Sequence, residues 1–139
     1  MSLRFLLDTN VVSEPVRLSP NRRLLRRLQR HTGVMGIGAP TWHELKFGCE
    51  RLPQSRRKEQ LDDYLATVIR ADLPILPYDE AAAAWHARER ARLLALGRTP
   101  SFVDGQIAAI ASVNDLILVT ANRSDFAAFE GLRLEDWLS

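Results

Sequence analysis

Residues 3–10 read Leu-Arg-Phe-Leu-Leu-Asp-Thr-Asn, apolar up to Leu7 and polar from Asp8 onward. A short apolar run that closes on a carboxylate reads as a buried strand delivering an acid to one edge of a sheet. In open α/β sheets ligands bind outside the carboxyl ends of the strands, so Asp8 stands where chemistry is usually done. An isolated acid there serves equally well as the cap of a helix begun by Val11 and Val12. The choice turns on whether distant acids join it.

A chain of 139 residues with 46% hydrophobic content has the size of one domain, residues 1–139, with a sizeable core. Its 19 Lys and Arg against 17 Asp and Glu leave a formal charge of +2, too small to mark a nucleic-acid binder by charge alone. A single cysteine, Cys49, excludes a disulfide framework and a multi-thiolate zinc site, and fits a reducing compartment. The opening residues hold too short an apolar run for a signal peptide, and no stretch reaches a membrane span. The expectation is a soluble cytoplasmic protein without a membrane partner.

Along the chain, Ser13-Glu14-Pro15 ends a short helical turn, and Ser19-Pro20 supplies a cap and first-turn proline for a helix to about Arg30. Leu24, Leu25 and Leu28 form its apolar stripe among Arg22, Arg23, Arg26, Arg27 and Arg30. Val34 to Ala39 is a glycine-punctuated second strand, after which Thr41 opens a helix containing Glu44 and Cys49. The next helix starts at Arg56, Arg57 and Lys58 and repeats Leu61, Leu65, Val68 and Ile69 at amphipathic spacing. Leu73 to Tyr78, with two prolines, is an edge strand. Asp79 caps a long helix with Ala81, Trp85, Leu93 and Leu96 on one face, stopped at Gly97. Ser101 to Asn114 is apolar nearly all round and should be the most buried helix; strands at 116–120 and near 132–134 follow. Alternating strands and helices predict an α/β fold, a mainly parallel sheet flanked by helices.

Four positions then matter: Asp8, Glu44, Asp104, and Asn122 or Asp125, each at an element end that opens toward the same sheet edge in such a fold. Like charges resist ionising together, so converging carboxylates generally hold a hard cation such as Mg2+ or Mn2+, whose bound water can be directed at a phosphodiester. The competing explanation is helix capping. Thr41-x-x-Glu44 has capping-box spacing, and Ser101-x-x-Asp104 and Asn122-x-x-Asp125 place acids at the same first-turn position. Capping does not account for a carboxylate on the most apolar helix.

Leu-Leu-Asp8-Thr9-Asn10-Val-Val-Ser13-Glu14-Pro15, Glu44-Leu-Lys-Phe-Gly48, Asp104-Gly-Gln-Ile-Ala-Ala and Val-Thr120-Ala-Asn122-Arg-Ser-Asp125-Phe126 together resemble a PIN-domain protein. Within that superfamily the chain is similar to the VapC-type toxins, and most of all to the FitB-like members, over its whole length. The resemblance implies a PIN-like three-layer sandwich and a metal-dependent endoribonuclease that cleaves RNA, dimeric and blocked by a VapB-like antitoxin. It also implies that Asp8, Glu44 and Asp104 organise Mg2+ or Mn2+, that Thr9 or Thr120 orients an acid, and that Asn10 supports the loop. The chain departs from the pattern at the fourth acid, where Asn122 stands and Asp125 lies three residues on. A neutral Asn122 adds no charge, which weighs against a second ion and favours Asp125 as the outer acid.

Haloacid-dehalogenase-type phosphatases share the run into Asp8-x-Asn10 and a later Val-Thr120, but they need a second Asp where Asn10 stands. A catalytically inactive binding module on the same fold is the remaining alternative. The basic clusters at Arg22, Arg23, Arg26 and Arg27, and at Arg56, Arg57 and Lys58, offer themselves to RNA phosphates. His31, His43 and His86 share no ligand spacing, Trp42, Trp85 and Trp137 read as core or interface anchors, and Cys49 reads as a small buried hydrophobe.

Overall fold

Phe5–Leu7 form the first strand, β1, and alternate strictly: Phe5 and Leu7 enter one apolar layer while Leu6 enters the other. A strand buried on both faces needs helices on both sides, and the computed structural model, which describes residues 2–139, supplies them. The strands β2 (Met35–Gly38), β3 (Ile75–Leu76), β4 (Ile117–Val119) and β5 (Leu134–Glu135) join β1 in the order β3-β2-β1-β4-β5. Every pairing is parallel.

One layer holds α1 (Thr9–Val12), α2 (Arg22–Arg30), α3 (Ala39–Glu50) and α4 (Arg56–Tyr64) over a core of Phe5, Leu7, Leu24, Ile37, Cys49 and Trp137. A π-helical turn, Leu65–Ile69, runs α4 on into α5 (Arg70–Asp72). The wider turn keeps Leu65 and Ile69 buried and rotates Val68 outward, against the simple amphipathic spacing. The other layer holds α6 (Glu80–Ala95), α7 (Phe102–Val113) and α8 (Arg123–Phe126) around Leu6, Ile107, Ile110, Leu118 and Phe126. As expected, α7 is the most buried helix, β3 lies at the sheet edge, and Asp79 caps α6 through a bond from the Ala82 amide.

Three local expectations are corrected. Ser19-Pro20 does not cap α2. Asn21 does, because its extended backbone lets Oδ1 accept from the Leu24 amide while its Nδ2 donates to the Leu138 carbonyl. Thr41 does not open α3, which begins at Ala39 after an extended Gly38, with Pro40 in the first turn. The Thr41 hydroxyl is buried and unbonded, so the capping box with Glu44 does not form. On α6 Leu93 is buried and Trp85 half-buried against the core as expected, but Ala81 and Leu96 are exposed and the inward face is completed by Ala82, His86 and Glu89. Two polar residues are tolerated inside because each has partners: Tyr78 for His86, and Arg92 for Glu89.

Close approach of α6 and α7 requires Gly105, where an added Cβ would stand 2.1 Å from His86 Nε2. Such contact fixes the spacing of α7 against α6 at the helix turn that carries Asp104. Among the described residues no helix is long and apolar enough to cross a membrane.

Candidate active site

β1 and β4 run parallel, and the Asp8 amide extends their pairing by donating to the Val119 carbonyl at 2.9 Å. The ladder therefore sets Asp8 and Thr120 side by side at the carboxyl edge of the sheet. Thr120 Oγ1 donates to Asp8 Oδ2 at 2.8 Å, and the Thr9 amide donates to Oδ1 at 2.8 Å. Thr120 Oγ1 in turn accepts the Asn122 amide at 2.9 Å, which aims the hydroxyl hydrogen at Asp8. Asp8 is thus both a helix cap and a fixed, buried acid, and the two readings of the sequence coexist.

Burial pushes the Asp8 carboxyl above its ordinary range; the Thr120 and Thr9 bonds oppose that rise and the charge of Asp125 adds to it. Asp104, in the first turn of α7, is likewise pushed up by burial, opposed by Ser101 and reinforced by Asp8 and Asp125. Ser101 caps α7 by accepting the Asp104 amide at 3.1 Å. At the sheet edge Asp104 thus feels the charges of Asp8 and Asp125, and Asp8 that of Asp125. Asp125 is solvent-exposed in α8, and Asn122 is also exposed, contributing its amide rather than its side chain.

Glu44 stands farther out, its side chain 41% exposed and its Oε1 3.9 Å from His43 Nδ1. It lines a 450 Å³ cleft shared with Asn10, Ser13 and Arg57, and a second hollow of 300 Å³ with Tyr78 and Gln106. Thr9 serves through its amide, and Asn10 faces the cleft.

The basic clusters are partly committed to the fold. Arg27 donates to the Asp136 carbonyl, Arg57 to that of Val16, and Lys58 to those of Glu50 and Leu52. Arg22, Arg23, Arg26 and Arg56 are exposed. Two arginines that no sequence pattern singled out, Arg90 and Arg98, line a hollow beside the start of α7. Their only signal was the loop Arg98-Thr99-Pro100 ahead of Asp104.

An all-parallel sheet flanked by helices on both faces, with carboxylates gathered at the carboxyl edge of its central strands, defines a PIN-type α/β fold. The PIN domain family model matches residues 5–132, and the chain belongs to that family. It is 35% identical over 135 residues to the tRNA(fMet)-specific endonuclease VapC of Shigella flexneri, spanning 97% of this chain and 98% of that protein. It is 34% identical to toxin FitB of Neisseria gonorrhoeae, spanning 95% and 97%. The structure of FitAB bound to an IR36 DNA fragment superposes with a TM-score of 0.90 at 30% identity, covering 97% of this chain and 96% of that one.

Proposed function

We propose that this chain, a single PIN domain, is the toxin of a type II toxin–antitoxin pair and a Mg2+- or Mn2+-dependent endoribonuclease acting in the cytoplasm. The observation that carries the reading is Asp8, anchored through both carboxylate oxygens at the sheet edge, its charge acting on Asp104 and that of Asp125 acting on both. Crowding a buried, a half-buried and an exposed acid at one sheet edge costs the fold repulsion, which a bound cation would relieve.

The donor set fits such an ion. Among the described residues no three His, Cys, Asp or Glu side chains form a ready ligand cluster. Mg2+, however, takes one or two carboxylates and keeps several waters, so Asp8 and Asp104 suffice to hold it. Glu44 and Asp125 bear on the site from its rim. When bound, the ion supplies positive charge to the phosphate oxygens and a water of lowered pKa. The chain's own part is positional: Thr120 and the Thr9 amide hold Asp8, the Asn122 amide holds Thr120, and Asn10 borders the cleft that Glu44 also lines.

The names of the relatives support the same reading, since one is an endonuclease VapC and another a toxin FitB. The FitAB complex supports a VapB-like antitoxin as partner, and the family resemblance makes a homodimer the expected assembly. An arginine of such an antitoxin, placed among Asp8, Glu44 and Asp104, would pair with the carboxylates and compete with the metal. The test is RNA cleavage with Mg2+ or Mn2+ by the purified protein and by Asp104→Asn. Cleavage lost in a folded Asp104→Asn protein is expected; undiminished cleavage removes the site assignment. A folded wild type that cleaves no RNA with either ion leaves an inactive binding module.

A further inference from the structure

Phe102 and Asp104 lie two positions apart in the first turn of α7, so helical geometry turns them to different sides of one helix end. The Asp104 carboxyl feels the charges of Asp8 and Asp125. Phe102 faces a separate 140 Å³ hollow that it lines with His86, Arg90, Arg98 and Thr99.

Folding leaves this hollow with unused groups. Phe102 is 51% exposed although it belongs to the most apolar helix. The Arg90 guanidinium lies over its ring, 5.2 Å from the centroid. Among the described residues, Arg17, Arg92 and Arg133 pair with carboxylates, whereas Arg90 and Arg98 have none within salt-bridge distance. The floor beneath is rigid: the His86 ring packs against Gly105, bonds the Tyr78 hydroxyl through Nδ1 at 2.8 Å, and meets the Phe102 ring at 4.8 Å.

An open aromatic ring on a fixed floor, flanked by two unpaired guanidinium groups, has the chemistry that holds single-stranded nucleic acid. Bases stack on aromatic and guanidinium planes, and arginine forks grip phosphate. We infer that Phe102, Arg90 and Arg98 form a nucleotide subsite for RNA. An unpaired base rests against the Phe102–Arg90 pair, and the adjoining phosphate is held by Arg98. That this nucleotide flanks the scissile phosphate rests on the ribonuclease reading above and on the shared helix turn. The subsite differs from the basic faces of α2 and α4, several of whose cations already bond backbone carbonyls.

Fluorescence anisotropy in EDTA reads binding without cleavage. The probes are a short unstructured single-stranded RNA of mixed sequence and an abasic ribose-phosphate oligomer of equal length. Phe102→Ala should weaken RNA binding roughly tenfold, leave the abasic oligomer unaffected, and be rescued by Phe102→Trp. Arg90→Gln combined with Arg98→Gln should flatten the dependence of log affinity on log salt by about 0.7, the equivalent of the one phosphate contact that Arg98 makes on a single strand. Unchanged affinity and slope, or an equal loss on both oligomers for Phe102→Ala, overturns the subsite. So does a mass change in light scattering without a change in RNA affinity, which assigns the patch to a second copy of the chain. A protein that binds through Phe102 yet cleaves nothing defeats the ribonuclease reading alone. One that cleaves while Phe102→Ala binds equally well defeats the subsite alone.

Discussion

Thr120 Oγ1 reaches Asp8 Oδ2 at 2.8 Å, joining residues 112 positions apart at the carboxyl edge of the two central strands. The hydroxyl is fully buried and donates to the acid while accepting from the Asn122 amide, so its removal disturbs three groups at once. Thr120→Val keeps the shape and deletes the bond. We expect a stability loss of about 1–3 kcal/mol in urea unfolding and at least a tenfold fall in RNA cleavage, with Thr120→Ser close to wild type. Wild-type cleavage by a folded Thr120→Val protein would show that Asp8 needs no orienting hydroxyl.

Asp8 and Asp104 make the metal-free protein sensitive to pH in a defined direction. Burial raises both carboxyls above their unfolded values, with Asp125 adding to each. For a raised carboxyl, the protonated native form is favoured: the stability contribution is full below the unfolded pKa and is lost as pH rises through the folded one. Thermal unfolding in EDTA should therefore show Asp104→Asn gaining stability relative to wild type as pH rises from mildly acidic to neutral. Mg2+ should stabilise the wild type at neutral pH and Asp104→Asn much less. A variant that tracks the wild type across this interval would contradict the charge crowding.

Glu89 carries the opposite sign. Its carboxylate accepts Arg92 Nε at 2.8 Å, Arg92 NH2 at 2.9 Å and the Glu130 amide at 2.8 Å. The Arg92 bonds hold the carboxyl below its usual range, against the effect of its burial. Its contribution is present above the unfolded pKa and lost as pH falls through the lowered value. Glu89→Ala should lower the melting midpoint at neutral pH by about 5–10 °C and by less in acid. An equal drop at both pH values would mean lost packing rather than a lost charged bond.

Gly105→Ala places a methyl where His86 Nε2 now sits. The ring must move, breaking its bond to Tyr78 or lifting α7, and we expect a loss of roughly 1–3 kcal/mol. Adding His86→Ala should recover part of it, a coupling that a double-mutant cycle reads directly. Additive effects would place the strain elsewhere.

The strands and the acids were legible because their signals are local. An apolar run that turns polar marks β1 and β4, and the acids follow at Asp8 and Asp125. The same locality misplaced caps: Ser19, Thr41 and Asn21 all have capping chemistry, and only backbone direction, with Leu138 reaching back from the far end of the chain, selects Asn21. His86 was not legible as an inward residue because its partner Tyr78 lies outside α6. Nor was Glu89, whose pairing with Arg92 at i+3 reads equally as a surface pair, while the Glu130 amide that completes its bonding lies outside α6. The idle cations Arg90 and Arg98 were hidden for the converse reason. A sequence records a charge but not whether a carboxylate stands opposite it.

The sheet order also governs what happens while the chain is being made. A chain emerging from its amino end exposes Asp8 early, whereas Thr120 and Asp125 arrive only after α7 and β4. Nascent and prematurely terminated chains thus carry the first acid without the hydroxyl that orients it or the strand that buries it. Any fragment that ends before β4 lacks the bond from Thr120 to Asp8. The assembled sheet edge exists only once β4 has paired with β1 and brought Thr120 beside Asp8.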